Sequence, residues 1–288
     1  MKLMSINTHS ILEEDYARKL EEFVQTVLRE KPDIIAMQEV NQSQEAPLAG
    51  PELLDGFSFG EACSLPIRRD NHAAQVARRL YQAGLSCFWT WLPVKRGFGS
   101  FDEGLALFSL GRPIVEIDSF LLSGCQDYNN WQTRKALGIR VLGQNDWFYS
   151  IHMGWWQDRE EPFQRQLLRL NRKLDHRRNC PVWLMGDFNS PAQVRNQGYD
   201  ALTASGWLDS YLLARQRTGE NTVPGVIDGW ESMIPEGERD RGMRIDYIWC
   251  SRKLPVLESR VMFDGGAEPV ISDHFGLMIE TTPVGEEG

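Results

Sequence analysis

Carboxylates, amides and imidazoles stand at or just after the ends of apolar runs in six short segments of this chain. They are M-S-I-N at Met4–Asn7, Q-E at Gln38–Glu39, I-H at Ile151–His152, G-D-F-N at Gly186–Asn189, R-I-D-Y at Arg244–Tyr247 and S-D-H at Ser272–His274. Together they suit hydrolysis of a phosphate ester. That reaction needs an activated water and compensation of charge on the phosphoryl and leaving oxygens. A hard cation such as Mg²⁺ compensates charge while held by a few carboxylate and amide oxygens. Glu39, at the end of an apolar run, is the natural first ligand, and Asn7, ending the neighbouring run, completes the shell. Asp187 and Asn189 lie two apart after another apolar run, a spacing that can aim both into one pocket. Asp187 can orient the attacking water or take its proton. Asn189 can donate to a phosphoryl oxygen or help anchor the metal. Asp246 and His274 suggest a pair in which a carboxylate fixes an imidazole and favours its charged form. Alone, each has an ordinary reading: a solvated strand-end carboxylate for Glu39, a turn residue for Asn7, a plain turn for G-D-F-N. The six in one order carry the argument.

The elements that must position them are legible in part. Leu3–Asn7 reads as a strand, and apolar residues from Tyr16 to Leu28 recur at helical spacing, so a helix is predicted over about 14–30. Lys31-Pro32 ends it, and Asp33–Val40 reads as a buried strand, giving a βαβ-like opening. Residues 41–71 read as a long loop, followed by a short helix near His72–Ala83. Strands are predicted near Cys87–Leu92, Leu105–Ser109, Ile114–Leu122, Ala136–Leu142, Trp147–His152, Pro181–Met185, Ile245–Cys250 and Gly276–Glu280. A second helix runs from about Phe163 to Leu174, with Pro162 near its start. Its Arg165, Arg169 and Arg172, with Arg177 and Arg178 beyond, read as a solvated face in preference to a nucleic-acid patch. Residues 218–242 read as a second polar loop. No linker or repeat divides the 288 residues, and the six segments must converge, so one domain over 1–288 is expected. The net charge of −9 lowers the expectation of a DNA-tracking enzyme, since such proteins draw affinity from Lys and Arg on phosphates. Five scattered cysteines without C-x-x-C, no long apolar run and no signal-peptide core point to a reduced, cytoplasmic protein with no membrane partner.

The order and contexts of the six segments resemble the endonuclease/exonuclease/phosphatase superfamily, the DNase-I-like fold, over nearly the whole chain. The resemblance implies an α/β fold, a four-layer sandwich of two packed mixed β-sheets with helices outside. It implies a Mg²⁺-dependent (or Mn²⁺-dependent) phosphoester hydrolase, with Glu39 and Asn7 at the metal and Asp273 beside it. It makes His152 a phosphate-binding residue, and it places Glu103 and Arg134 near the substrate. The loops are rich in tryptophan, including Trp89, Trp91, Trp131, Trp155, Trp156 and Trp230. Flat indoles suit sugar faces as well as bases, and Trp155 and Trp156 are expected to touch substrate. N-T-H-S, D-E-G-L-A and H-M-G-W-W look like a bacterial branch that includes maltose 6′-phosphate phosphatase. A small phosphorylated substrate, a sugar phosphate, is therefore expected, with Lys95, Arg134 or Arg241 holding its phosphate. The alternative is a Mg²⁺-dependent DNA exonuclease or abasic-site endonuclease.

Overall fold

Strand alternation decides which side chains meet. The computed structural model describes residues 1–61, 63–177, 179–226 and 242–282. Thirteen strands lie among them: β1 (Lys2–Asn7), β2 (Ile34–Ser43), β3 (Cys87–Gly97), β4 (Phe101–Leu110), β5 (Ile114–Leu121), β6 (Lys135–Val141), β7 (Trp147–His152), β8 (Val182–Asp187), β9 (Leu208–Asp209), β10 (Ala214–Thr218), β11 (Asp246–Cys250), β12 (Val256–Met262) and β13 (Gly276–Thr281). The helices are α1 (Tyr16–Glu30), α2 (His72–Gln82), α3 (Phe163–Leu174), α4 (Gly198–Ala204) and α5 (Ser210–Leu213). One sheet has the order β10-β12-β13-β1-β2-β4-β3, and the other β5-β6-β7-β8-β11-β9. Both are mixed. β1 pairs with β2 and β7 with β8 in parallel, while most other neighbours are antiparallel.

Three apolar clusters give the layers. Met4, Ile6, Ile35 and Met37 pack against Leu20, Phe23 and Val27 of α1 and Ala73, Val76 and Leu80 of α2. Leu3, Ile34 and Ala36 point the other way and meet Leu137, Ile139, Phe148, Trp183, Met185 and Ile248 of the second sheet. On the far side of that sheet, Tyr149, Ile151, Leu184 and Trp249 pack against Phe163, Leu167 and Leu170 of α3. The result is the expected four-layer sandwich of two mixed sheets with helices outside.

The first helix shows what holds the outer layers. Asp15 precedes α1 in a left-handed conformation and makes no side-chain cap. A missing cap forgoes about 1 kcal/mol. Leu20, Phe23, Val24 and Val27 are all buried on one face, and each such side chain contributes about 1.5–3 kcal/mol. Packing therefore decides the helix, and its start is set by the core.

Where the structure departs from the sequence-based expectation, the cause is polar strand ends. β2 runs on to Ser43, β3 to Gly97, and β4 begins at Phe101, so part of the expected 41–71 loop is strand. A 3-10 turn at Pro51–Leu53 and the bridge between Leu48 and Arg68 order more of it. α4, α5, β9, β10 and β12 were not foreseen. Among the described residues no helix is long and apolar enough to cross a membrane, and all five cysteines are free. Arg178, Trp230 and Arg241 lie outside the described residues.

Candidate active site

Period-two alternation carries one set of polar residues into the space between the sheets. On β1, Leu3 and Ser5 face the other sheet, and Asn7 follows in step. On β8, Trp183 and Met185 face inward, and Asp187 follows. On β7, Phe148 and Ser150 lead to His152, and on β11, Ile248 shares its face with Asp246. β1, β7 and β8 end at this edge and the antiparallel β11 begins there, so these inward side chains meet.

Glu39 arrives by a different route. Simple alternation from Met37 would turn it toward α1. Instead the register of β2 against β4 shifts between Met37 and Val40, and Glu39 takes φ 51°. Such a bulge inserts a residue and re-aims side chains. Gln38 and Glu39 thereby both face the second sheet. Gln38 donates to Ser150 Oγ at 2.9 Å, and Ser150 donates to Met37 O at 2.9 Å, tying the sheets together beneath the site. Gly186 fits against this tie because it has no side chain: at φ 147° a Cβ would collide with the Ile151 carbonyl and press on the Gln38 amide.

The convergence is tight. Asn7 Nδ2 donates to Glu39 Oε1 at 3.0 Å and to Asp187 Oδ2 at 3.3 Å. His152 Nε2 and His274 Nε2 approach Asp187 Oδ2 at 3.6 and 3.9 Å. His274 Nδ1 lies 3.0 Å from Asp246 Oδ2. The Asn189 backbone N–H donates to Asp187 Oδ1 at 2.7 Å, with Asn189 held at φ 46°. Two chain ends meet here as well: the Ser272 hydroxyl donates to the Asn7 carbonyl at 2.8 Å.

Burial sets the electrostatics. It pushes the Asp187 carboxyl up to about 7, with the Asp246 charge adding to the rise. Burial and the neighbouring Glu103 also raise Glu39. His152 is held well below its ordinary range by burial and by the cations Arg134 and Lys95, so its ring is neutral. His274 goes the other way. Burial alone would lower it, but the Asp246 carboxylate, with Asp187 and Asp273, more than offsets this and lifts it to about 10. The imidazolium is therefore the resident form.

Behind this group lie two buried cations. Lys95 Nζ pairs with Glu103 Oε1 at 3.1 Å, and burial lowers the lysine pKa. Arg134 donates through Nη1 to the carbonyls of Trp131 and Thr133 at 2.7 and 3.2 Å, while its buried Nε has no partner. A small cavity touches Glu103, Arg134 and His152.

The donors fit a hard divalent ion. Glu39 and Asp187 offer carboxylate oxygens on either side of the Asn7 amide, which turns its Nδ2 to both of them. The ligand atoms of Asp187, Asp246 and His274 lie within 4.8 Å of one another. Asp246 Oδ1 is buried without a partner, and raised carboxylates crowded together are relieved by a cation. Oxygen donors without thiolate suit a hard divalent cation.

Two expected site residues stand elsewhere. Asp273 is exposed, and its carboxylate groups with His9 and Glu13. Neither set of clustered donors that includes Asp273 or Asp187 includes Glu39. Trp156 turns into the core, its ring 5.9 Å from Phe163. Trp155 stays at the surface, 40% exposed, and its indole N–H donates to Asn189 Oδ1 at 3.0 Å. Of the other tryptophans, Trp89 and Trp91 are buried and Trp131 is 57% exposed. Sequence reasoning missed Thr222, whose hydroxyl accepts from the backbone N–H groups of Ile245 and Asp246 at 3.0 and 3.1 Å. It also missed Tyr247, whose hydroxyl reaches the carbonyls of Ser190 and Arg244 at 2.7 and 2.6 Å. A threonine in a polar loop carries no signal of such a role. Tyr247 stood inside R-I-D-Y and could have been asked what its hydroxyl bonds.

Comparison with known proteins accords with this geometry. The sequence profile of the Endonuclease/Exonuclease/phosphatase family matches residues 4–274. An endonuclease/exonuclease/phosphatase family protein from Leptotrichia buccalis C-1013-b is 27% identical, with 98% of this chain and 100% of that chain covered and a TM-score of 0.83. A mannosyl-6-phosphatase from Bacteroides thetaiotaomicron VPI-5482 is 20% identical over 98% and 100% of the two chains, with a TM-score of 0.64. The 3′ phosphatase NExo from Neisseria, bound to a product DNA hairpin, is 18% identical over 98% and 100%, with a TM-score of 0.58. The last two show likeness of fold. No curated protein matches the sequence. The profile match spans every one of the six segments, and the chain belongs to the Endonuclease/Exonuclease/phosphatase family, a family of hydrolases.

Proposed function

We propose that this chain is a metal-dependent phosphoric monoester hydrolase for a small phosphorylated substrate, a sugar phosphate such as maltose 6′-phosphate. The observation that carries the reading is the enclosed pair Lys95 and Arg134 beside the carboxylate cluster. A terminal phosphate brings up to two negative charges to one point, and two buried cations at one end of the site suit it. The exposed rings of Trp131 and Trp155 supply flat walls for the rest of the substrate. The mannosyl-6-phosphatase with this fold supports a sugar phosphate, while NExo supports DNA. Two basic residues of the α3 region are already committed to protein partners. Arg169 is bonded to the Leu122 carbonyl at 2.9 Å, and Arg177 to Asp118 at 3.1 Å.

The residues divide the work. Lys95 and Arg134 bind the phosphate, and neutral His152 donates a hydrogen bond to it. Asp187, poised near neutrality, orients the attacking water and takes its proton. Charged His274, held by Asp246, faces the negative charge that builds on the phosphoryl oxygens. Asn189 donates to a phosphoryl oxygen. Glu39 and Asn7 would hold the ion; when bound, a divalent cation offsets charge on the phosphoryl and leaving oxygens. Glu103 holds Lys95 in place. One catalytic domain spans 1–288, and free cysteines accord with the cytoplasm.

Metal-stripped protein is expected to be inactive, with activity restored by Mg²⁺ or Mn²⁺. Full turnover after chelation would overturn the metal assignment. A phosphate-release screen over sugar phosphates, nucleotides and abasic duplex DNA tests the substrate. A sugar phosphate should be cleaved with mild salt dependence. Duplex binding through several phosphates would weaken by about 10³-fold or more between roughly 50 and 200 mM salt. Efficient, salt-sensitive cleavage of abasic duplex, with no phosphate released from any sugar, would assign the chain to the nucleases.

A further inference from the structure

The side-chain amide of Asn189 sits between two partners of opposite character. Its Nδ2 donates to the Met153 carbonyl at 2.9 Å, and its Oδ1 accepts from the Trp155 indole N–H at 3.0 Å. A carbonyl only accepts, and an indole N–H only donates. The terminal torsion of asparagine is broad and roughly twofold, so its two flip states differ mainly in what they meet. Flipping this amide would set N–H against N–H and oxygen against oxygen, losing both bonds. The backbone leaves no other freedom: Asn189 is at φ 46°, and its N–H is bound to Asp187.

We propose that Trp155 is a positioning residue whose indole N–H fixes which end of the Asn189 amide faces the reacting phosphate. This rests on the reading of Asn189 as part of the active site. With both partners in place, one Nδ2 hydrogen and one Oδ1 lone pair remain free, in fixed directions. The hydrogen is the donor for a phosphoryl oxygen. Without the indole, only the single bond to the Met153 carbonyl is left to oppose the flip. The ring itself is 40% exposed at the rim, so the group that meets the leaving portion of the substrate is bonded directly to the group that meets its phosphate. The loop does not depend on the indole for its shape. The Trp155 carbonyl accepts from the Phe163 and Asp158 N–H groups at 3.2 and 3.3 Å, and the Met153 N–H donates to the Asp187 carbonyl at 2.9 Å.

Trp155→Phe keeps an aromatic wall and removes only the N–H. Steady-state kinetics would be measured at saturating Mg²⁺. The substrate would be whichever of maltose 6′-phosphate and a 3′-phosphorylated oligonucleotide the wild type turns over faster. Trp155→Phe should lower kcat about tenfold and change KM by less than about twofold. In an Asn189→Ala background the same substitution should lower kcat by less than about twofold, because the group it orients is gone. Equal losses in both backgrounds, or a raised KM with unchanged kcat, would overturn the proposal and leave Trp155 as a substrate wall. An Asn189→Ala variant with wild-type kcat would instead remove Asn189 from the site, and the proposal with it. A second measurement needs no variant. In ¹⁵N-resolved spectra of the wild type, Asn189 should show one set of side-chain amide signals and the Trp155 indole hydrogen should exchange slowly. Two sets of amide signals, or fast indole exchange, would also count against it.

Discussion

Glu39→Gln is expected to lower kcat/KM by about a hundredfold or more, on the order of 3 kcal/mol, since a bound metal supplies several kcal/mol of charge stabilisation. The substitution is nearly isosteric, so the bulge in β2 and the contact with Asn7 should survive. What it removes is the charge. Burial and Glu103 already disfavour that charge, so the site tolerates the neutral amide as a fold while losing its hold on the ion. Two readouts belong together: turnover at saturating Mg²⁺, and Mn²⁺ affinity by calorimetry. Both should fall. Near-normal turnover with unchanged affinity would place the ion elsewhere.

Asp246→Asn and His274→Ala should each remove most of the turnover in a protein that still folds, and the double variant should lose far less than the product of the two. The pair is a unit because burial opposes a charged ring and Asp246, 3.0 Å away, restores it. In metal-free wild type, His274 should stay protonated through neutral pH and titrate near 10. In Asp246→Asn the largest interaction that raises the ring is gone, and His274 should titrate well below its wild-type position. The alkaline limb of the rate profile should move down with it. The folded pKa of His274 lies above its unfolded value. Its contribution to stability is therefore fully present below about pH 6.5 and lost as pH rises toward 10. Multiplicative losses in the cycle, or an unmoved His274 resonance in Asp246→Asn, would separate the two residues.

How much of this was legible depended on whether position follows from period. β1, β2 and β7 were readable because apolar runs end on a polar residue that belongs to the inward face. α1 and α3 were readable because their buried residues recur every three or four positions. β10 was not: Ala-Arg-Gln-Arg-Thr is exposed after its first residue and lies at a sheet edge, so it carries no apolar signature. β12 was hidden by a register shift near its start and by Glu258 and Arg260 within it. The ends of β3 and β4 carry Lys95, Arg96, Asp102 and Glu103, which read as loop and are strand because they pair with one another. At the site, the residue types were visible and their approach was not. Nothing in Q-E announces that Glu39 turns by a left-handed residue. Nothing in S-D-H distinguishes an Asp273 that groups with His9 and Glu13 from one that faces Glu39. In W-W, the two rings look alike, yet one bonds Asn189 and the other packs on Phe163.

Asn7 and Glu39 belong to one sheet, while His152, Asp187 and Asp246 belong to the other. The two halves are joined at this point by the 3.3 Å contact between Asn7 and Asp187 and, beneath it, by Gln38 and Ser150. Such a site works as a vernier: it reads the slide of one sheet over the other to a fraction of a hydrogen bond. A variant that loosens the shared apolar layer by a small translation would leave every strand intact and every helix packed, and would still put the two scales out of line. Turnover would then fade at temperatures where the far-ultraviolet circular dichroism of the sheets has not begun to change.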